Sequence, residues 1–84
     1  MAVKTTKEVL IVDDDPDFQA FVTRILNGAG FAVTEINTVD GAIRRVRQKV
    51  PNLVLLDLNF PGESGFDFLK TRKDDSLLKH LPVI

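Results

Sequence analysis

Two runs of consecutive apolar residues, Val9-Leu10-Ile11-Val12 and Leu53-Val54-Leu55-Leu56, are interrupted by no polar position. Such runs read as strands whose sheet is covered on both faces, as in parallel sheets flanked by helices. Between them the period lengthens: Phe18, Phe21, Val22, Ile25 and Leu26 recur at helical spacing. Asp15 is placed to cap that helix, Pro16 suits its first position, and Asn27, Gly28 and Gly30 are available to end it, so it is expected to run to about Asn27. Residues 31–36 alternate and predict a second, less buried strand. Ala42, Ile43, Val46 and Val50 then mark a second helix closed by Pro51. After Leu56, the residues Asn59, Pro61, Gly62 and Gly65 read as loop and turn, and a short helix carrying Phe66, Phe68 and Leu69 follows. Leu81-Pro82-Val83-Ile84 opens a fourth strand.

Strand and helix alternate three times, and right-handed crossovers turn that order into an α/β fold. The expectation is one domain over residues 1–84: a doubly wound parallel sheet of about four strands with three helices on its two faces.

Composition narrows the function. Of 84 residues, 44% are apolar and 27% charged, with a net charge of −1, which excludes a disordered polyelectrolyte and a strongly basic nucleic-acid binder. Cysteine is absent, so disulfide frameworks, thiolate metal sites and cysteine nucleophiles do not arise. The apolar runs are far too short to span a bilayer, and the start MAVKTTKE lacks the apolar core of a secretory signal. A cytoplasmic location, without membrane or direct nucleic-acid contact, is expected. A domain of this length buries only roughly 60–65% of its unfolded surface, so a missing core element is costly.

The chemistry gathers where strands end. Val12 is followed by Asp13, Asp14 and Asp15, and Leu56 by Asp57. In a parallel sheet these ends share one edge, the crevice in which open α/β sheets bind ligands. Carboxylates brought that close repel, and a hard divalent cation such as Mg2+ is the simplest neutraliser. Asp14, Asp15 and Asp17 also suit the start of a helix, and Asp57 the start of a turn, but capping does not explain acids at the ends of both buried strands.

At this point VLIVDDDPDF, followed by NLVLLDLNFPGESGFDFL, resembles the receiver domain of two-component response regulators. The resemblance covers residues 8–84 and implies a flavodoxin-like fold of strand order 2-1-3-4-5, with strands one and three adjacent. It further implies that Asp57 accepts a phosphoryl group from a histidine kinase or phosphotransfer protein. Asp13 and Asp14 match the family's acidic pair, with Asp14 as the more direct ligand. Asn59 matches the position whose backbone carbonyl completes the Mg2+ site, and Pro61 and Gly65 match the loop that shapes it.

Receiver domains also use a Ser or Thr at the end of strand four and a Lys at the end of strand five, positions with no counterpart before Ile84. Lys70 and Lys73, on or after the third helix, point away from the strand ends and make poor replacements. The chain therefore reads as a receiver truncated within strand four, with phosphorylation expected to be slow or absent. An open strand-four edge and an uncovered helix-one face predict a homodimer or higher oligomer. A non-phosphorylated oligomerisation or interaction module on the same scaffold is the alternative. An enzyme is not expected: an aspartate-dependent phosphatase of the haloacid-dehalogenase type needs a second aspartate where Asn59 stands.

Three other features read plainly. Arg44, Arg45, Arg47 and Lys49 form the solvated face of helix two, and His80 is an exposed turn residue. Phe18, Phe21, Phe66 and Phe68 divide between the core and a possible oligomer contact, since not all fit inward together.

Overall fold

Local signals set most of the elements. In the computed structural model, which describes residues 6–60 and 62–84, Asp15 takes an extended backbone and its carboxylate accepts from the N–H groups of Asp17 and Phe18. The chain proceeds as β1 (Glu8–Val12), α1 (Pro16–Gly28), β2 (Ala32–Ile36), α2 (Val39–Gln48), β3 (Leu53–Leu56), β4 (Asn59–Phe60), β5 (Glu63–Ser64) and α3 (Gly65–Asp74). Thr38 caps α2, its hydroxyl accepting the Gly41 N–H at 3.0 Å, and Ser64 caps α3 by accepting the Phe66 N–H at 3.2 Å.

The sheet is parallel in the order β2-β1-β3. Register places Leu10 between Thr34 and Val54, and Val12 between Ile36 and Leu56. The segment around Val83 lies along the other side of β3, where the Val54 N–H donates to Pro82 O at 3.0 Å and the Leu56 N–H to Ile84 O at 2.8 Å. The fourth strand is therefore begun beside β3, as the flavodoxin-like order requires.

Pleating gives the two faces different partners. Leu10, Val12 and Val54 pack with Val39, Ala42 and Val46 of α2, Phe68 of α3, and Leu78 and Leu81, forming one continuous core. The opposite face carries Val9 and Ile11, both buried, and receives α1, whose Thr23 hydroxyl donates to Glu35 at 2.5 Å. Glu35 pairs in register with Ile11, so α1 crosses the β1–β2 side of this face.

Three sequence expectations need correction. Residues 59–64 are not simply loop: Asn59 opposes Ser64 and Phe60 opposes Glu63 in a short antiparallel ribbon, turned by Gly62 at φ +70°. The second helix begins at Val39 and stops at Gln48, because Lys49 is already extended; Val50 lies beyond it and is exposed. Arg45 leaves the solvated face: it is mostly buried and ion-paired with Glu8, whose other partner is the Thr34 hydroxyl at 2.7 Å. Arg44, Arg47 and Lys49 do remain exposed, and so does His80 in its turn.

Candidate functional site

Parallel register delivers the acids to one place. With Val12 opposite Leu56, the residues that follow each strand emerge at the same edge, and the Asp57 N–H donates to Val12 O at 2.9 Å. Strand order reverses at β1, with α1 on one face and α2 on the other, which opens a crevice between the C-terminal ends of β1 and β3. There Asp13, Asp14 and Asp57 offer carboxylate oxygens all within 4.8 Å of one another.

Short loops hold these side chains. The Asp15 N–H donates to Asp13 Oδ1 and the Asn59 N–H to Asp57 Oδ1, each at 2.9 Å, local turns that fix one oxygen of each acid. Asp13 and Asp57 are half-buried, whereas Asp14 and Asn59 are exposed. Burial pushes the Asp13 carboxyl above its usual range, and the charges of Asp57, Asp14 and Asp15 add to the rise, while the hydrogen bond from Asp15 opposes it. An all-oxygen set with excess negative charge fits a hard divalent cation rather than a soft one. The open cleft of roughly 580 Å³ beside the acids is lined also by Asp15, Phe18, Ile11, Leu55, Leu56 and Ile84.

Gly65, expected to shape the loop, does so by its lack of a side chain. A Cβ there would stand 2.7 Å from Asp57 O and 2.8 Å from Leu58 Cα, so α3 starts directly against the backbone that carries Asp57. Pro61 lies outside the described residues. Lys70 and Lys73 do not line the cleft, nor, among the described residues, does any other cationic or hydroxyl side chain.

Sequence reasoning missed Gln19. It is buried at 5% exposure, and its Nε2 donates to Asp13 O at 2.8 Å and Ile36 O at 2.9 Å. The available signal was its position on α1 between residues of the sheet-facing arc, where Val22, Thr23 and Leu26 are also partly buried while Phe18, Phe21 and Ile25 face outward.

Sheet order, crevice and carboxylate cluster together define a flavodoxin-like α/β protein with an acidic site at the strand ends. The chain belongs to the response regulator receiver domain family, whose sequence model matches residues 9–84. It is similar to the phosphate regulon transcriptional regulatory protein PhoB of Escherichia coli, at 32% identity over 93% of this chain and 34% of that protein. Similarity to the DNA-binding response regulator MtrA of Mycolicibacterium smegmatis is 40% over 83% of this chain and 31% of that protein. Among solved structures, the chemotaxis response regulator CheY4 of Vibrio cholerae matches with a TM-score of 0.87 and 28% identity, over 94% of this chain and 66% of that one. The chain thus spans about a third of the length of the curated relatives it matches. No helix among the described residues is long and apolar enough to cross a membrane.

Proposed function

We propose that this chain is a phospho-accepting module of a two-component phosphorelay, taking a phosphoryl group onto Asp57 from a phosphohistidine of a histidine kinase or phosphotransfer protein. The observation that carries the reading is the convergence of Asp13, Asp14 and Asp57 at the strand-order reversal. With Oδ1 of Asp57 held by the Asn59 N–H, the second oxygen serves as nucleophile. It attacks phosphorus in line with the leaving nitrogen; the P–N bond breaks, its electron pair returns to the imidazole, which takes up a proton from solvent, and an acyl phosphate forms on Asp57. Asp13, Asp14, Asp57 and the Asn59 carbonyl would hold Mg2+, which would supply positive charge to the phosphoryl oxygens. Asp13 and Asp14 act as acceptors only, and the product remains on the chain, so the event is stoichiometric and not an enzymatic turnover.

No Lys and no Ser or Thr lines the cleft among the described residues, so the 84-residue chain on its own is expected to accept phosphate slowly and to bind Mg2+ weakly. Incubation with Mg2+ and a small phosphodonor, read by intact mass, is expected to show a single phosphoryl adduct that Asp57→Asn abolishes. An adduct that survives that substitution, or none under prolonged incubation, defeats the reading.

A second reading has its own support. Phe18, Phe21 and Ile25 leave an apolar stripe of α1 in solvent, and Ile84 is 77% exposed. A non-phosphorylated assembly module would use these surfaces and would be indifferent to Asp57.

A further inference from the structure

We propose that Gln19 is a positioning residue for the acidic site: its amide sets the peptide that joins Asp13 to Asp14, and through it the oxygens available to a cation. The inference deepens the phosphoacceptor reading and rests on it.

Gln19 is the one buried polar or charged residue among the described residues. Its Nε2 donates to Asp13 O and Ile36 O, and it approaches Ile11 O at 3.5 Å. All three neighbours are carbonyl oxygens, so the NH2 group must face them; the flipped amide would set oxygen against oxygen. The Asp13 N–H meanwhile donates to the same Ile36 O at 3.1 Å. Asp13 therefore has both backbone groups tied, its N–H to the end of β2 and its C=O to α1.

The consequence reaches both acids. The Asp13 carbonyl belongs to the peptide plane that carries the Asp14 nitrogen, so anchoring that oxygen fixes the direction in which Asp14 leaves the strand. Without the Gln19 amide, a part-buried acceptor loses its partner and the peptide gains by rotating toward water. Asp14 would swing with it, and Asp13 would lose its tie to α1, leaving its N–H bond to Ile36 O as the one backbone anchor of that residue and freer to open. Groups that orient metal ligands in this indirect way alter cation affinity more than their own contacts imply.

A role confined to stability predicts something different, and the two are separable. Gln19→Met keeps the volume but removes the donors, Gln19→Arg keeps donors at comparable reach, and Val46→Ala weakens the core on the opposite face of the sheet, where Val46 is fully buried. The 84-residue chain and each variant are titrated with Mg2+ alone, read by thermal shift, and backbone amide exchange is followed in parallel. Gln19→Met is expected to lose about tenfold in Mg2+ affinity and to lose protection selectively at the Asp13 amide. Gln19→Arg is expected to restore both, whereas Val46→Ala lowers the thermal midpoint with affinity essentially unchanged.

Parent-like affinity and Asp13 protection in a folded Gln19→Met overturn the proposal. If Gln19→Met does not fold, Gln19→Asn, with the amide one methylene short, carries the same comparison; failure of both to fold while Val46→Ala folds makes Gln19 a stability residue and overturns it too. Should the parent chain bind no Mg2+, it is the phosphoacceptor reading that fails. Amide exchange then decides alone: selective loss at Asp13 supports the positioning role and uniform loss refutes it.

Discussion

Two carboxylates at opposite ends of β1 respond to pH in opposite senses. Burial pushes Glu8 upward, but the Thr34 hydroxyl, the Arg45 hydrogen bond and the charges of Arg45 and Lys49 outweigh it, leaving its carboxyl below the usual value of 4.5. Its unfolded form binds a proton first as pH falls, so its contribution is fully present above that usual value and is lost as pH drops through the depressed one. Glu8→Gln should cost about 1–3 kcal/mol at neutral pH and flatten the acid side of the stability profile, measured by urea unfolding across pH. Asp13 runs the other way. Its carboxyl is raised above 3.8 by burial and then by the neighbouring acids, so the folded chain holds the proton longer, and stability falls as pH rises from that value through the raised one. Asp13→Asn, which can still accept the Asp15 N–H, should raise the cation-free thermal midpoint at pH 7 by roughly 4–8 °C, as ~1 kcal/mol does in a chain this size. It should also abolish any further rise on adding Mg2+; a lowered midpoint without cation would refute the electrostatic account. Asp13, Asp14 and Asp57 were readable from the sequence because parallel pairing forces strand-end residues to one edge. Gln19 and Arg45 were not, because each is a polar side chain that a hydrophobic pattern assigns to solvent: Gln19 shares the helical arc of Val22, Thr23 and Leu26, but the partners that hold each side chain inward, Ile36 O and Asp13 O for one and Glu8 for the other, are set by the fold.

At the scale of elements, caps and glycines explain both what was legible and what was not. Asp15 and Pro16 announced α1, and the structure starts it there. For α2, the apolar positions Ala42, Ile43, Val46 and Val50 place the helix too late: Thr38 caps it, and the inward set is Val39, Ala42 and Val46, with Val50 outside. The two-residue ribbon of β4 and β5 escaped notice because Asn, Pro and Gly are ordinary loop residues, and only pairing across Gly62 makes them a ribbon. Its effect is to deliver Ser64 as a cap and Gly65 against the Asp57 carbonyl. Gly65→Ala forces a methyl group into two backbone atoms, neither of which can rotate away as a side chain would. A loss of about 1–3 kcal/mol is expected, with displaced amide resonances at Asp57 and Leu58 in a two-dimensional NMR spectrum. An unshifted spectrum would mean that α3 retreats as a rigid body and that the approach is not needed to hold the loop. Phe68, whose ring is buried in the core beneath the same helix, supplies the comparison: Phe68→Ala should cost about 3–5 kcal/mol, enough to unfold a small domain outright.

For the whole molecule, the decisive feature is the inequality of the two faces of the sheet. One is sealed by α2, α3 and the turn carrying Leu78 and Leu81, while α1 is the single helix over the other among the described residues. The apolar arc of α1 is wider than the sheet beneath it can cover, so Phe18, Phe21 and Ile25 stand 46%, 64% and 54% exposed. Leu55 and Ile84 line the cleft beside Phe18, extending the apolar surface toward the strand at Val83. Alternation along that strand turns the N–H and C=O of Val83 to the side away from β3, since Pro82 and Ile84 make the bonds to it. An apolar face continuous with a strand edge that is unpaired among the described residues favours self-association of the 84-residue chain, by edge pairing or by packing of α1 stripes. Size-exclusion chromatography with light scattering at micromolar concentrations should therefore show a dimer or larger species. Phe21→Glu, which charges the most exposed point of the α1 stripe without touching the acids, should return it to monomer if the helix face makes the contact. Persistence of the larger species in that variant would assign the contact to the strand edge, and a stable monomeric parent would refute association altogether. Asp57→Ala separates the two readings of function: assembly independent of phosphate leaves the elution unchanged, whereas assembly driven by phosphorylation responds to a phosphodonor in the parent and not in the variant.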